Sequence, residues 1–173
     1  MKPYAERTHE EMRDVLMSPL ADGPQAHYYM VRGGDKKSNI TVWEAGTVGA
    51  EYIKSYGHYH TGDLEETYTI LQGEGIIILQ GQIEDEGVTD FKAIKVKAGD
   101  KIHIPKNTGH LAINIGTTWL VTSDDSPASL AAHADYSLFK KMRGAAYYVV
   151  EKDGKPSFVK NPLYGNVPDV RIE

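Results

Sequence analysis

The sequence predicts an all-β protein, a sandwich or a barrel. Two observations carry this. Short β-branched and aromatic runs recur at roughly 8–12-residue spacing along most of the chain, each bounded by Gly, Asp, Asn or Pro. Long helical periods do not alternate with them, which argues against βα units. At 173 residues the chain is about one domain, long enough to bury a core without disulfides or structural metal.

Composition narrows the function classes. The chain has no cysteine, which excludes a disulfide framework, a thiolate nucleophile and a zinc ribbon. Nineteen Lys and Arg against 24 Asp and Glu give a net charge of −5, which argues against a nucleic-acid partner. No apolar run approaches the ~20 residues of a membrane span, and the N-terminus lacks a basic-then-apolar leader. These features predict a cytoplasmic protein with no membrane partner.

Residues 1–25 read as an arm with one short helix. Thr8 and Glu11 have capping-box spacing, Met12, Val15 and Leu16 form a small apolar stripe, and Pro19 and Gly23-Pro24 end it. Residues 26–164 read as the barrel domain and 165–173 as a tail draped over the surface. Strands are expected over 28–31, 39–43, 52–60, 67–71, 75–80, 91–96, 101–104, 110–114 and 119–122. Turns fall at Gly33-Gly34-Asp35, Gly73 and Gly99, and 82–90 is an acidic, solvated hairpin loop. Past 123 the pattern loosens into a loop at 124–127 and a helical turn over 128–134. A hairpin then pairs 147–151 with 157–160.

The stretch from Gly57 to Tyr68 concentrates the chemistry. His58 and His60, one residue apart on an extended strand, point to the same side. A carboxylate follows closely, and His110 is the candidate fourth group. Such a set can hold a metal ion and leave positions open for chemistry. Two glutamates compete for the place. Glu66 shares a strand face with Tyr68 and Ile70, and Glu65 one with Thr67 and Thr69. The apolar face is the better interior, so Glu66 is chosen and Glu65 held second. By the same alternation His103, between Ile102 and Ile104, points outward.

Downstream, Gly99, Pro105, His110 and Asn114 form a second pattern. The two patterns in this order resemble the paired motifs of the cupin superfamily. That resemblance implies a double-stranded β-helix, a jelly-roll barrel with a metal in its mouth. A longer match runs over roughly 27–163. Thr41, Ser55-x-Gly57, Glu66-Thr67-Tyr68, the segment from His110 to Asn114, His133-x-Asp135-Tyr136 and Asn161-Pro162 together resemble the cupin-type glucose-6-phosphate isomerases.

The resemblance implies interconversion of glucose 6-phosphate and fructose 6-phosphate through an enediolate, in glycolysis and gluconeogenesis. It implies a divalent ion on His58, His60, Glu66 and His110: Fe2+ or Mn2+ first, Zn2+ or Ni2+ as alternatives. Glu66, Tyr68 and Tyr136 are the catalytic candidates. Thr41, Ser55, Gly57 and His133 are the substrate-binding candidates, and a homodimer is the expected assembly. With 11 tyrosines in the chain, a plain core role for Tyr68 and Tyr136 competes with this reading. Where relatives tend to carry a tyrosine after the second motif, this chain has Ser123 and Asp124. An acidic residue there disfavours a dianionic substrate, so an isomerase or epimerase of another sugar is one alternative. A non-catalytic sugar- or metal-binding cupin is the other.

Overall fold

The computed structural model describes residues 5–33, 39–85, 87–126 and 134–173. All but the last residue of the helical turn expected over 128–134, part of the turn at Gly34-Asp35, and His133 lie outside them; residue 134 itself is in a strand.

The N-terminal arm opens with a strand that the sequence did not announce, β1 (Ala5–Thr8). Thr8 then caps α1 (His9–Met12): its side chain accepts from the Glu11 N–H, and Glu11 accepts from the Thr8 N–H. A 3-10 turn follows over Arg13–Val15, and the arm is held by complete burial of Met12 and Val15.

The barrel strands come next: β2 (Ala26–Val31), β3 (Asn39–Trp43), the short β4 (Thr47–Val48), β5 (Glu51–Tyr52) and β6 (Tyr59–His60). Then follow β7 (Glu66–Gln72), β8 (Glu74–Gln80), the small hairpin β9 (Ile83–Glu84) and β10 (Gly87–Val88), and β11 (Phe91–Lys97). The set continues with β12 (Lys101–Ile104), β13 (Gly109–Asn114), β14 (Leu120–Asp124) and β15 (Ala134–Asp135). A short α2 (Ser137–Lys141), not foreseen from sequence, precedes the hairpin β16 (Tyr147–Lys152) and β17 (Lys155–Lys160). Last is β18 (Arg171–Ile172), which pairs parallel to β11, so the expected loose tail ends as an edge strand.

The winding follows from the pairing. One sheet has the order β1-β2-β3-β14-β7-β12 and the facing one β13-β8-β11-β18. From β11 to β14 consecutive strands fall alternately in one sheet and the other, which is the winding of a double-stranded β-helix. Gly73, at φ +85°, makes the crossing from β7 to β8. A Cβ there would come within 2.5 Å of the Trp119 carbonyl oxygen, so only glycine fits. A third sheet, β17-β16-β5-β4, packs alongside. Gln80 at the end of β8 ties the C-terminal part on. Its amide donates to the Tyr59 and Tyr164 hydroxyls and its carbonyl accepts from the Ala146 N–H.

The core lies between the sheets. Ile70, Ile76, Ile78, Ala112 and Leu120 are at most 1% exposed. At roughly 1.5–3 kcal/mol per fully buried large side chain, this layer is the main source of stability.

The strand expected over 52–60 is broken. Its middle is held to β13 by single bridges, Lys54 to Ile113 and His58 to His110, rather than by a continuous ladder. The cause is Gly57, at φ +84°, pressed against Phe139 so closely that a Cβ would lie 2.5 Å from the ring. The strand expected to stop at 122 continues to Asp124, because Ser123 and Asp124 still pair with both β3 and β7. That correction brings Asp124 into the interior.

Candidate metal centre and substrate cavity

The alternation of side chains builds one wall of the cavity. Thr41 and Trp43 on β3, Asp124 on β14, Glu66 and Tyr68 on β7, and Tyr28 and Met30 on β2 all face it, and Arg32 lies just past the end of β2. The opposite wall is the broken segment, with Ser55, Gly57 and His58, together with His110 on β13 and Tyr136 at the start of α2. Counting its mouth, the cavity holds about 510 Å³ of empty space.

At its floor His58, His60, Glu66 and His110 each present one ligand-type atom, and these atoms lie within 4.8 Å of one another. Glu66, His60 and His110 are buried. Glu66 Oε1 is 2.9 Å from His110 Nε2 and 3.4 Å from His60 Nε2. Neither contact has hydrogen-bond geometry: both Glu66 oxygens and the Nε2 atoms of His58, His60 and His110 are buried without a partner among the described residues. Close approach without a hydrogen bond means that these atoms aim at a common point rather than at one another.

Burying five such orphans would cost several kcal/mol unless something fills that point. A divalent cation fits: its charge and coordination would satisfy the imidazole nitrogens and the carboxylate together. The histidine protonation agrees. His110 Nδ1 sits 3.1 Å from the Thr108 carbonyl, which only accepts, so the neutral ring carries its proton on Nδ1 and presents Nε2 as the ligand nitrogen. Burial, reinforced by the neighbouring histidines, pushes His58 well below its ordinary range, and burial also lowers His60. Neutral imidazoles are the ligand form.

Glu65, the competing carboxylate, is exposed and lies 3.8 Å from the equally exposed His103. Both side chains therefore sit outside the barrel. Tyr68 and Tyr136 flank the cluster, with ring centres 6.0 Å from His110 and 5.3 Å from His58. Burial first, then Glu66 and Asp124, pushes the Tyr68 hydroxyl well above its usual pKa, so Tyr68 is a neutral phenol.

Thr41, Ser55 and Gly57 line the cavity as a group. The Ser55 hydroxyl is already engaged, accepting from the Ala112 N–H (2.8 Å) and donating to the Ala112 carbonyl (3.3 Å). Asn114 and Asn161, the polar ends of two matched motifs, stand away from the cavity. Asn114 bonds the carbonyls of Trp43, Glu44 and Thr118 and the Gly116 N–H, and Asn161 bonds those of Met142 and Ala145 and the Leu163 N–H. Both lock turns.

Sequence reasoning missed Arg32 as a lining residue and placed Asp124 in a loop. Asp124 is 8% exposed, and one of its oxygens, Oδ1, accepts from Asn39 Nδ2 (2.8 Å), the Ser126 N–H (3.1 Å) and the Ser126 hydroxyl. Continuing the inward alternation one step past each strand end would have found both.

A profile of the glucose-6-phosphate isomerase (GPI) family matches residues 25–163, most of the chain and all of this cavity's described lining. The chain belongs to that family. It is 33% identical over 132 residues to glucose-6-phosphate isomerase of Pyrococcus furiosus, covering 76% of this chain and 66% of the relative. The Thermococcus litoralis relative is 34% identical over 132 residues, covering 76% and 65%. The chain thus spans about two thirds of the length of these relatives of the glucose-6-phosphate isomerase family. Among solved structures it is similar to Bacillus subtilis oxalate decarboxylase, with a TM-score of 0.44 and 19% identity over 74% of this chain and 29% of that one. It is also similar to the cupin domain of Drosophila melanogaster CENP-C, with a TM-score of 0.42 and 14% identity over 65% and 79%. Likenesses this loose carry no functional argument.

Proposed function

We propose that this chain is a metal-dependent aldose–ketose isomerase that interconverts glucose 6-phosphate and fructose 6-phosphate through an enediolate. The observation that carries the reading is the set of orphaned, convergent atoms of His58, His60, Glu66 and His110. It opens into a cavity that is also lined by three tyrosines, in a chain of the glucose-6-phosphate isomerase family.

His58, His60, Glu66 and His110 would hold the ion, Fe2+ or Mn2+ in the first place. Once bound, it supplies the positive charge that favours developing oxyanions. The rest is the work of the side chains. Glu66 Oε1 faces His60 and His110, which leaves Oε2 to take the proton from C2 and return it to C1. Tyr68, held neutral, is a donor for a sugar oxygen. Tyr136, across the cavity beside His58, is the second donor and closes the site over the open-chain sugar.

The phosphate falls to Thr41, Gly57 and Arg32. Ser55 contributes by fixing the Gly57 loop on β13 rather than through a free hydroxyl. Asp124 lies at the same end of the wall as Arg32, and in this reading its carboxylate accepts from sugar hydroxyls while Arg32 offsets its charge.

A homodimer in the cytoplasm, without nucleic acid, belongs to the same reading. The net charge is −5, no helix among the described residues is long and apolar enough to cross a membrane, and Leu71 and Trp119 stand exposed for a partner copy. The reading is tested by assaying fructose 6-phosphate formation before and after metal removal. Activity should vanish with a chelator and return on adding Mn2+ or Fe2+. Metal-loaded protein that converts no hexose phosphate would overturn it.

A further inference from the structure

Arg7 stands on β1, outside the residues that match the family profile, yet three tyrosines from three other segments meet on its guanidinium. Its Nε donates to the Tyr28 hydroxyl at 3.4 Å. The guanidinium lies 5.4 Å from the Tyr56 ring centre and 5.5 Å from that of Tyr136. Glu11 closes the outer side at 3.6 Å, and the Arg7 side chain is 23% exposed.

Each of those tyrosines leads into the site. Tyr28 lines the cavity, and its hydroxyl also accepts from the Tyr56 N–H. Tyr56 immediately precedes Gly57-His58 and meets Tyr136 edge-on, at 5.6 Å between ring centres. Tyr136 lines the cavity against His58. The strand before it, β15, pairs with β6 over only two residues, and α2 begins immediately after it. A second tie runs through the same arm: the Tyr56 hydroxyl donates to Asp14 (3.1 Å), which also takes Lys140 of α2 (3.1 Å).

We propose that Arg7 is a positioning residue for Tyr136, so that the N-terminal strand completes the reaction cavity although it contributes no lining atom. The proposal rests on the isomerase reading for the role of Tyr136, and on geometry alone for the anchoring. A planar cation wedged between two rings, with a hydrogen bond to a third phenol, fixes orientation by cation–π contact and by its fork of N–H groups together. Truncating it frees the Tyr136 ring to turn while the four floor residues stay where β6, β7 and β13 hold them. An error of about 1 Å in a proton donor is enough to cost on the order of 100-fold in rate.

The experiment compares wild type, Arg7→Met, Arg7→Lys, Tyr136→Phe and the double variant Arg7→Met/Tyr136→Phe in the full chain. In Arg7→Met, amide hydrogen exchange should quicken over 134–141 and not over β7 or β13, with Mn2+ affinity unchanged. In the isomerase assay kcat should fall roughly 10- to 100-fold with KM within about two-fold of wild type. The double variant should be no slower than Tyr136→Phe alone. Arg7→Lys keeps the charge and loses the fork, so it should recover part of the rate, and it serves as the folding control. Unchanged exchange over 134–141, or losses that multiply in the double variant, would overturn the proposal. A wild type that isomerises nothing would sink the proposed function instead, and the exchange result would then decide the anchoring by itself.

Discussion

Asn114 and Glu66 are buried to the same depth, 0% and 2% exposed, yet the fold treats them in opposite ways. Around Asn114 both amide atoms have protein partners: three carbonyls accept from its nitrogen and a backbone N–H donates to its oxygen. The Lys54 ammonium, equally deep, pairs with Glu51 and donates to the Val15 carbonyl, while Glu51 accepts from the Met17 N–H. Around Glu66 neither carboxylate oxygen is satisfied among the described residues, and three histidine nitrogens share that condition. Satisfied burial holds the structure together. Unsatisfied burial directed at one point marks a ligand-binding site.

The comparison breaks if removing a satisfied group costs no more than removing an orphaned one. The largest expected effect is Lys54→Met, which leaves the Glu51 carboxylate buried without its counter-charge. About 3–5 kcal/mol should be lost in urea unfolding. A loss below 1 kcal/mol would mean that the pair is not structural.

Next comes pH. His27, completely buried, is depressed to about 4 by burial and then by His9 and Lys54. Its folded pKa lies below the unfolded value of 6.5, so below pH 6.5 the unfolded chain binds the extra proton. The stability it supplies is whole above 6.5 and drains away as pH falls toward about 4. The effect is at most about 3 kcal/mol, at 1.36 kcal/mol per pKa unit. Unfolding free energies measured from pH 7 to pH 4 should show this fall, and His27→Gln should lessen it, leaving the part that the depressed His58 and His60 contribute.

Asn114→Ala strands three carbonyls and should cost about 1–3 kcal/mol without altering Mn2+ affinity. The smallest expected effect is the sharpest contrast. In metal-free protein Glu66→Gln removes an orphaned charge, so stability should hold or rise slightly. The thermal shift given by Mn2+ should largely disappear in the same variant. A large loss of metal-free stability would place Glu66 with the structural group.

Much of this was legible in the sequence, and strand parity explains both the reach and the limit. Period two chose Glu66 over Glu65, turned His103 outward and put Tyr68 and Ile70 on the face of Glu66. The capping residues Thr8 and Glu11 announced α1. Parity fails where a strand is broken or runs past its apolar stretch. Gly57 interrupts the segment that carries His58, and polar Ser123-Asp124 hides the end of β14. Arg7 gave no local signal at all, since its partners lie 21, 49 and 129 residues away (Tyr28, Tyr56 and Tyr136). Asn114 shows the reverse: its motif position is legible, but its work is to lock a turn.

Proton exchange at C2 tests the central claim most directly. Fructose 6-phosphate is incubated with metal-loaded protein in heavy water, and the recovered sugar is analysed for deuterium. An enediolate formed by Glu66 predicts label at C2 of the glucose 6-phosphate produced. Product formed at full rate without any label would contradict the account, because the hydrogen would then have passed directly between C1 and C2 with no base involved.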